Sequence, residues 1–205
     1  MTRIAVIGAT GRAGSQLVEE ALRRGHEVTA IARHAAARWS QQAGVTPRDV
    51  DVNDAAALQA ALAGHDTVFS AVRFSDAPPA TLVEPVKKAG VKRLLVVGGA
   101  ASLRVASGQR LLDTPDFPAA YKPEATAGAA FLDVLRNERE LDWTFLSPSA
   151  LFFEGPRTGQ FRVGGDELLV AADGKSSISF ADYAIAYLDE LERPAHSRRR
   201  FTVGY

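Results

Sequence analysis

The chain of 205 residues is 46% hydrophobic and 23% charged, a composition typical of a globular protein with a substantial buried core. Its 24 basic and 24 acidic side chains cancel to a formal net charge of zero, so we expect neither nucleic acid nor a membrane surface as a partner. The absence of cysteine excludes disulfides, thiolate metal sites and cysteine redox chemistry. No apolar run reaches membrane-spanning length, and the first apolar strand begins by Ile4, which together predict a cytoplasmic protein.

The first predicted elements are a strand, a glycine-rich turn and a helix. Residues 4–7 form an apolar run typical of a buried parallel strand, and residues 15–24 repeat apolar side chains with the helical period. The turn between them carries three glycines at positions i, i+3 and i+6. This order suits a dinucleotide, because the backbone can approach the pyrophosphate and free N–H groups at the helix start face the anion; the alternative is an empty structural turn. The predicted phosphate-binding residues are Gly8, Thr10, Gly11, Arg12, Ala13 and Gly14.

Strands and helices alternate along the rest of the chain. Pro85 either lies in the first turn of a helix that starts near Glu84 or kinks a longer helix. The remaining strands are predicted over 27–32, 45–52, 66–72, 93–97, 143–146 and 201–203, a hairpin over 161–170 with its turn at 164–166, and the helices over 35–42, 54–62, 81–89, 124–140 and 180–191.

The alternation predicts an α/β fold: a Rossmann-type, doubly wound, mostly parallel sheet with helices on both faces. We expect residues 1–205 to form one domain, in which a small C-terminal extension from about 150 contributes the substrate side. Residues 98–122 show no sustained periodicity, and a loop of this length inside a compact domain is more often functional than accidental.

The cofactor preference is predicted from the end of the second strand. An acidic side chain there accepts hydrogen bonds from the ribose hydroxyls of NAD, whereas an arginine pairs with the additional phosphate of NADP. The residue at this point is Arg33, and Arg12 adds a second positive charge inside the glycine turn. The alternative interpretation is that both arginines are solvated surface side chains. Because no acid ends this strand, the sequence favours NADP(H) over NAD(H).

The ends of the third and fourth strands complete the predicted cofactor site. Asp51 and Val52 stand where an acidic group meets the adenine amino group, although a strand-end turn explains the aspartate equally well. Ser70, Ala71 and Val72 are small enough to let the backbone pass close to the ribose, and small residues also simply pack well.

These features resemble the atypical branch of the short-chain dehydrogenase/reductase superfamily, and within it the NmrA-like and NADH-flavin reductase group. The resemblance covers nearly the full length and implies an NAD(P) cofactor on a Rossmann fold. It also implies that Gly98 belongs to the cofactor-binding residues and that Pro148 and Ser149 lie beside the nicotinamide. The segments that carry it are GATGRAG at 8–14, Arg33, DV at 51–52, VGGA at 97–100, LSPS at 146–149 and RFTVGY at 200–205.

Most members of that superfamily carry a tyrosine, and a lysine four residues later, on the helix after the fifth strand, where they act as general acid and pKa-lowering partner. Tyr121 stands near that point, but Ala125 replaces the lysine, and Lys122 points elsewhere on a helix. Ordinary alcohol or sugar dehydrogenation is therefore disfavoured. Tyr121 remains a candidate acid, with aromatic packing of the loop as the alternative.

Hydride transfer does not need such a pair when a flavin or quinone is the acceptor, since the delocalised product requires little proton assistance. We therefore predict an oxidoreductase that passes hydride from NADPH to a flavin or a similar conjugated acceptor, with FMN or FAD as a substrate rather than a bound group. Ser102 is the predicted catalytic hydroxyl. Phe152, Phe153 and Glu154 are predicted to line the substrate wall, although one of two adjacent phenylalanines on a strand must face inward.

Two other functions stay open. An NmrA-like regulator would sense NADP without turnover, and a nucleotide-sugar epimerase or dehydratase is weakened by the missing Tyr-Lys pair and the short C-terminal half. We expect a small-molecule substrate and a monomer or homodimer. No metal is expected, because none of the four histidines has a second ligand type at metal spacing, and we interpret all four as surface residues: His26, His34, His65 and His196.

Overall fold

The structure, a computed structural model, describes all 205 residues and contains ten β-strands. The second and fifth strands have the predicted bounds, and the other predicted strands are present with shifted ends. The bounds are Arg3–Ile7 (β1), Glu27–Ala32 (β2), Val45–Asp49 (β3), Thr67–Ser70 (β4), Arg93–Val97 (β5), Asp142–Ser147 (β6), Leu151–Phe153 (β7), Arg162–Gly164 (β8), Ser177–Ser179 (β9) and Arg199–Gly204 (β10).

Every predicted helix is present. The fourth helix runs through Pro85, so the prediction of a start near Glu84 is wrong. It begins instead at Pro79, where a proline in the first turn removes only an N–H that has no intrahelical acceptor. The bounds are Arg12–Arg23 (α1), Ala35–Trp39 (α2), Ala55–Leu62 (α3), Pro79–Lys88 (α4), Lys122–Asn137 (α5) and Phe180–Glu192 (α6). None of these helices has the length and apolar character needed to cross a membrane.

Eight strands form one sheet in the order β3-β2-β1-β4-β5-β6-β10-β8. All neighbours are parallel except β10 and β8, which confirms the predicted doubly wound α/β fold. The strand order reverses between β1 and β4, and ligands of open α/β sheets bind in the crevice outside the carboxyl ends of the strands at such a switch point. The carboxyl edge of the sheet next to β1 is therefore where the site is expected.

Helices cover both faces of the sheet, and the alternation of side chains along β1 shows why. Ile4 and Val6 pack into a core shared with α1, α2 and α6, whereas Ala5 and Ile7 pack into a second core shared with α3, α4 and α5. Because both faces of β1 are buried, the strand has to be a continuous apolar run, which is the pattern that the sequence shows.

The predicted hairpin over 161–170 is wrong. Only Arg162–Gly164 forms a strand, and it pairs antiparallel with β10 at the sheet edge. The segment after the turn lies instead beside the long loop, where Leu168 N donates to Arg104 O at 2.8 Å. A second sheet of two parallel strands, β7 and β9, was not predicted, because three residues are too few to show a strand period.

Candidate functional site

The glycine turn after β1 has no room for side chains. Gly8 has a φ of +81°, and a Cβ atom on it would lie 2.7 Å from Ala71 O. A Cβ atom on Gly14 would lie 2.1 Å from Gly8 O, so the start of α1 packs directly on the turn. Both contacts are with backbone atoms, which cannot move aside as a flexible side chain does. The turn therefore requires glycine at these two positions.

Three backbone N–H groups at the start of α1 have no acceptor within the protein. Gly11 caps the helix with no side-chain hydrogen bond, and the N–H groups of Arg12, Ala13 and Gly14 precede the first intrahelical bond, which Ser15 N makes to Gly11 O at 2.9 Å. Such a set of donors, together with the positive end of the helix dipole, is suited to bind a phosphate.

A cavity of about 540 Å³ opens beside this turn and runs along the carboxyl ends of β2, β3 and β4. It brings together eight residues that the sequence predicted for the cofactor: Gly8, Thr10, Gly11, Arg33, Asp51, Val52, Ala71 and Val72. Arg73 and Asp76, which the sequence did not single out, line the same cavity from the loop after β4, which we call its far wall. Ser70 is buried within β4 and does not line the cavity.

Arg33 is an exposed cation at the end of β2, within this cavity. Asp51 faces the same space, and its carboxylate accepts hydrogen bonds from the backbone N (2.9 Å) and the side-chain amide (3.2 Å) of Asn53. These bonds, with a smaller contribution from the charge of Arg33, hold the pKa of Asp51 below its ordinary value. Asp51 therefore stays ionised while its oxygens remain on the cavity wall.

Arg12 lies in a second cavity, of about 290 Å³, on the other side of the glycine turn. Its guanidinium stacks over the ring of Phe180 at 5.4 Å, and Arg38 of α2 lines the same cavity. Thr10 and Gly11 line both cavities, so both cavities border the glycine turn, and arginine side chains line each of them. The sequence analysis missed Arg38, although its place five residues after Arg33 on a short helix was an available signal.

The remaining residues predicted for the cofactor follow the next two strands, β5 and β6. A Cβ atom on Gly98 would lie 2.7 Å from Leu146 O, so the chain needs glycine where it leaves β5. Pro148 and Ser149 are buried beyond β6, and Ser149 Oγ donates to Val203 O at 3.0 Å. Ser102 is half-buried in a single 3₁₀ turn that follows β5. These residues therefore lie at the edge of the sheet that the 540 Å³ cavity follows, but beyond β4.

Tyr121 lines neither of the two cavities. It ends a 3₁₀ turn before α5 with 67% of its surface exposed, and Lys122 beside it is also exposed. The acidic residue at the start of α5 has a clearer role, because Glu124 accepts the backbone N–H groups of Phe74 (2.8 Å) and Ser75 (2.9 Å). Glu124 thereby fixes the loop that carries the far wall of the larger cavity.

The predicted substrate-wall residues separate in the structure. The Phe152 ring packs against Phe180 and Tyr183, with centroids 4.2 and 4.7 Å away, so it belongs to the core side of β7. Phe153 lies at an edge contact with Tyr205, 6.5 Å between centroids. Of the three, only Glu154 lines one of the two cavities described above, the smaller one beside Arg12.

Residues 154–160, which we call the strap, are held in place by two carboxylates that the sequence analysis missed in this role. Glu20 of α1 accepts two hydrogen bonds of 2.9 Å from Arg157. Asp182 of α6 accepts the backbone N–H groups of Thr158 (2.7 Å) and Gly159 (2.8 Å). Desolvation raises the pKa of Glu20, but the hydrogen bonds from Arg157 and Arg24 outweigh it and set the pKa at about 2.

No three carboxylate or imidazole groups are close enough to hold a metal ion. The interpretation of all four histidines as surface residues is wrong for His26, which is 8% exposed and bonds Glu192 through Nε2 at 3.1 Å. Its burial follows from its place in the turn between α1 and β2, against the end of α6.

Replacing Gly14 with alanine is expected to abolish NADPH binding at micromolar protein and to lower the melting temperature by several degrees. The new Cβ atom would force the turn away from the helix start, at about the 1–3 kcal/mol typical of overpacking. Fluorescence titration with NADPH and thermal unfolding measure the two effects. Gly165→Ala is the control, because a Cβ atom there meets nothing within 4 Å; equal effects in both variants would contradict the expectation.

Residues 8–194 match a family of proteins described as NAD(P)H-binding. The chain is 44% identical to YwnB of Bacillus subtilis, over 98% of this chain and 97% of that protein. It resembles two solved structures over its full length. One, from Bacteroides thetaiotaomicron and provisionally named an epimerase, is 42% identical with a TM-score of 0.94 and 97% of its chain covered. The other, from Streptococcus pneumoniae and provisionally named an NADH-flavin reductase, is 39% identical with a TM-score of 0.85 and 99% covered.

Proposed function

The chain belongs to the NAD(P)H-binding family, and from that premise we propose that it is an oxidoreductase that passes hydride from NADPH to a flavin or a similar conjugated acceptor, such as a quinone. The observation that carries the proposal is the glycine turn itself, which borders two cavities lined by arginines and is followed by N–H groups at the start of α1 that have no acceptor in the protein. The N–H groups suit a pyrophosphate, and the arginines suit an additional phosphate.

NADP(H) is favoured over NAD(H) by the charges in the two cavities. Arg33 lines the larger cavity, Arg12 and Arg38 line the smaller one, and no acidic residue ends β2. Two carboxylates, Asp51 and Asp76, also line the larger cavity, but both lie outside β2, and Asp51 is engaged by Asn53. A guanidinium binds a phosphate through two parallel hydrogen bonds, which is the contact that a 2′-phosphate requires.

The acceptor is inferred from what the site lacks and from the relatives. Tyr121 is exposed and Ala125 stands where a lysine would follow, so the chain offers no Tyr-Lys pair for alcohol chemistry. The Streptococcus relative is provisionally named an NADH-flavin reductase, which supports a conjugated acceptor. The Bacteroides relative is provisionally named an epimerase, but sugar epimerisation calls for an acid–base pair of the kind that Tyr121 and Ala125 do not supply.

We propose that the substrate is a small molecule and that the protein is a monomer or homodimer. In the bound state the cofactor supplies the hydride. The protein supplies position: the N–H groups of α1 hold the phosphates, and the loops after β4, β5 and β6 enclose the reacting end.

The test is the oxidation of NADPH, followed by absorbance, with FMN and with menadione as separate acceptors. We expect turnover above the protein-free rate with at least one of them, and Gly14→Ala is expected to lose it together with NADPH binding. If NADPH binds while neither acceptor is reduced, the reductase proposal fails, and a regulator that senses NADP without turnover becomes the better explanation. Gly165→Ala, which leaves the turn intact, must retain the wild-type rate.

A further inference from the structure

Arg200 connects three segments of the chain near the carboxyl ends of β5 and β6, although its own side chain is only 3% exposed. Its guanidinium donates to the Asp166 carboxylate through Nε at 2.6 Å and through a second nitrogen. The remaining nitrogen, Nη1, donates to Ser102 Oγ at 3.3 Å and, more weakly, to Ser147 Oγ at 3.5 Å. Arg200 thus reaches from the sheet to the predicted catalytic hydroxyl, 98 residues away in sequence.

This contact determines the direction of the Ser102 hydroxyl. A guanidinium is a donor only, so Ser102 Oγ must accept from Arg200 and its own proton must point elsewhere. Within the protein, neither Ser102 nor Ser147 donates its hydroxyl proton to any acceptor. Ser147 is fully buried, so the half-buried Ser102 hydroxyl, supported by one buried cation, is the one that remains available as a donor to a ligand, in the manner of an oxyanion hole.

The position of the Ser102 hydroxyl matches the reacting end of the cofactor rather than its adenosine end. Ser147 is the last residue of β6, and Ser102 follows β5, whereas Arg33 ends β2. Between β2 and β6 lie four strand spacings in the order β2-β1-β4-β5-β6, roughly 19 Å at about 4.8 Å each. A dinucleotide whose phosphorylated ribose is at Arg33 extends along this edge toward Ser102.

We propose that Arg200 is a positioning residue that makes the Ser102 hydroxyl a hydrogen-bond donor to a carbonyl oxygen of the acceptor, and that the acceptor class is conjugated carbonyl compounds such as quinones and enones. This rests on the proposed hydride transfer from NADPH. As the new C–H bond forms on the acceptor, the electron pair of its π bond moves to the carbonyl oxygen and the nicotinamide becomes oxidised. Ser102 stabilises the negative oxygen, which then takes a proton from water, so no Tyr-Lys pair is needed.

The first test compares Ser102→Ala, Arg200→Met and the double variant in NADPH oxidation with menadione. Each single change is expected to lower kcat about 10- to 100-fold, while the KM of menadione changes less than about threefold, because the bond strengthens only as charge develops. If Arg200 acts through Ser102, the double variant is no slower than Ser102→Ala alone. Multiplicative losses in the double variant would overturn the proposal and assign Arg200 a separate, structural role.

The second test does not depend on turnover. 4-Nitrophenol is titrated with pH in the presence of each variant saturated with NADP⁺, and the phenolate is followed by its absorbance. Donors at Ser102 favour the bound phenolate, so the midpoint should fall by about one pH unit in the wild type and return toward the free value in both single variants. Equal midpoints in all three proteins would overturn the proposal.

Two controls keep the tests separable. Thermal unfolding shows whether Arg200→Met still folds. If it does not, Arg200→Lys replaces it. An ammonium group cannot bond Asp166 and Ser102 in the same planar arrangement, so the kcat of Arg200→Lys should fall as it does for Ser102→Ala. If the wild type does not reduce menadione at all, the proposed function fails, and the nitrophenol titration still decides whether Arg200 and Ser102 form the donor site.

Discussion

Arg33→Glu is expected to raise the Kd of NADPH by about 100-fold and to leave the Kd of NADH within about threefold of the wild-type value. Arg33 is an exposed cation in the cavity that follows the glycine turn. Replacing it removes a charge-assisted contact with the 2′-phosphate and puts a negative charge in its place. NADH lacks that phosphate, and a carboxylate at the end of β2 is the group that accepts hydrogen bonds from its ribose hydroxyls.

Fluorescence titrations with both nucleotides measure the change. Arg199→Glu is the matched control, since it alters the net charge equally at an exposed position at the start of β10, near the amino-terminal edge of the sheet. It should leave both Kd values unchanged at 0.15 M salt, where charges far apart are screened. A parallel loss of NADH and NADPH affinity in Arg33→Glu would show that Arg33 supports the turn rather than reads the phosphate.

Glu20→Gln is expected to lower the free energy of unfolding by about 3 kcal/mol at pH 7. Glu20 is 4% exposed at its side chain and bonds both Arg157 and Arg24, which hold its pKa at about 2 against 4.5 for an ordinary glutamate. Because the folded pKa is the lower one, this stabilisation is complete above pH 4.5 and is lost as the pH falls toward 2. The difference between wild type and variant should therefore shrink by roughly half by pH 3.

Urea unfolding at several pH values tests this dependence. The control is Glu19→Gln, one residue along α1, whose side chain is 42% exposed and lies 3.8 Å from Arg38; it should cost less than about 0.5 kcal/mol. A difference between wild type and Glu20→Gln that is constant from pH 7 to pH 3 would exclude ionised Glu20 as the cause. Since Glu20 anchors Arg157, the variant should also loosen the strap, detectable as faster proteolysis within residues 154–160.

The features that the sequence predicted well are those that local chemistry determines. A strand buried on both faces must be apolar along its buried length, and residues 4–7 and 94–97 are. The glycine turn was equally predictable from the sequence, because the close approach of Gly14 to Gly8 O allows no residue other than glycine at position 14. Asp54 also behaves as its position predicts, accepting the N–H of Ala57 at the start of α3.

The features that were missed depend on contacts between distant parts of the chain. The Gly-Gly-Asp sequence at 164–166 favours a hairpin turn locally. In the structure β8 pairs with β10 instead, because β10 would otherwise be an unpaired edge of the sheet. Arg157 and Glu20 are 137 residues apart, and Arg200 and Ser102 are 98 apart, so no spacing rule connects them. Phe152 was predicted to line the substrate wall because the sequence does not show that Phe180 and Tyr183 pack against its ring.

Hydride transfer from NADPH is the central claim, and single-turnover oxidation of NADPH stereospecifically deuterated at C4 tests it most directly. Protein in excess over NADPH is mixed with menadione, and the two deuterated diastereomers are compared with unlabelled NADPH. A bound nicotinamide presents one face to the acceptor, so we expect deuterium to slow oxidation in one diastereomer and not in the other. NADPH that binds but is oxidised no faster than without protein, or equal rates for both diastereomers, would contradict it.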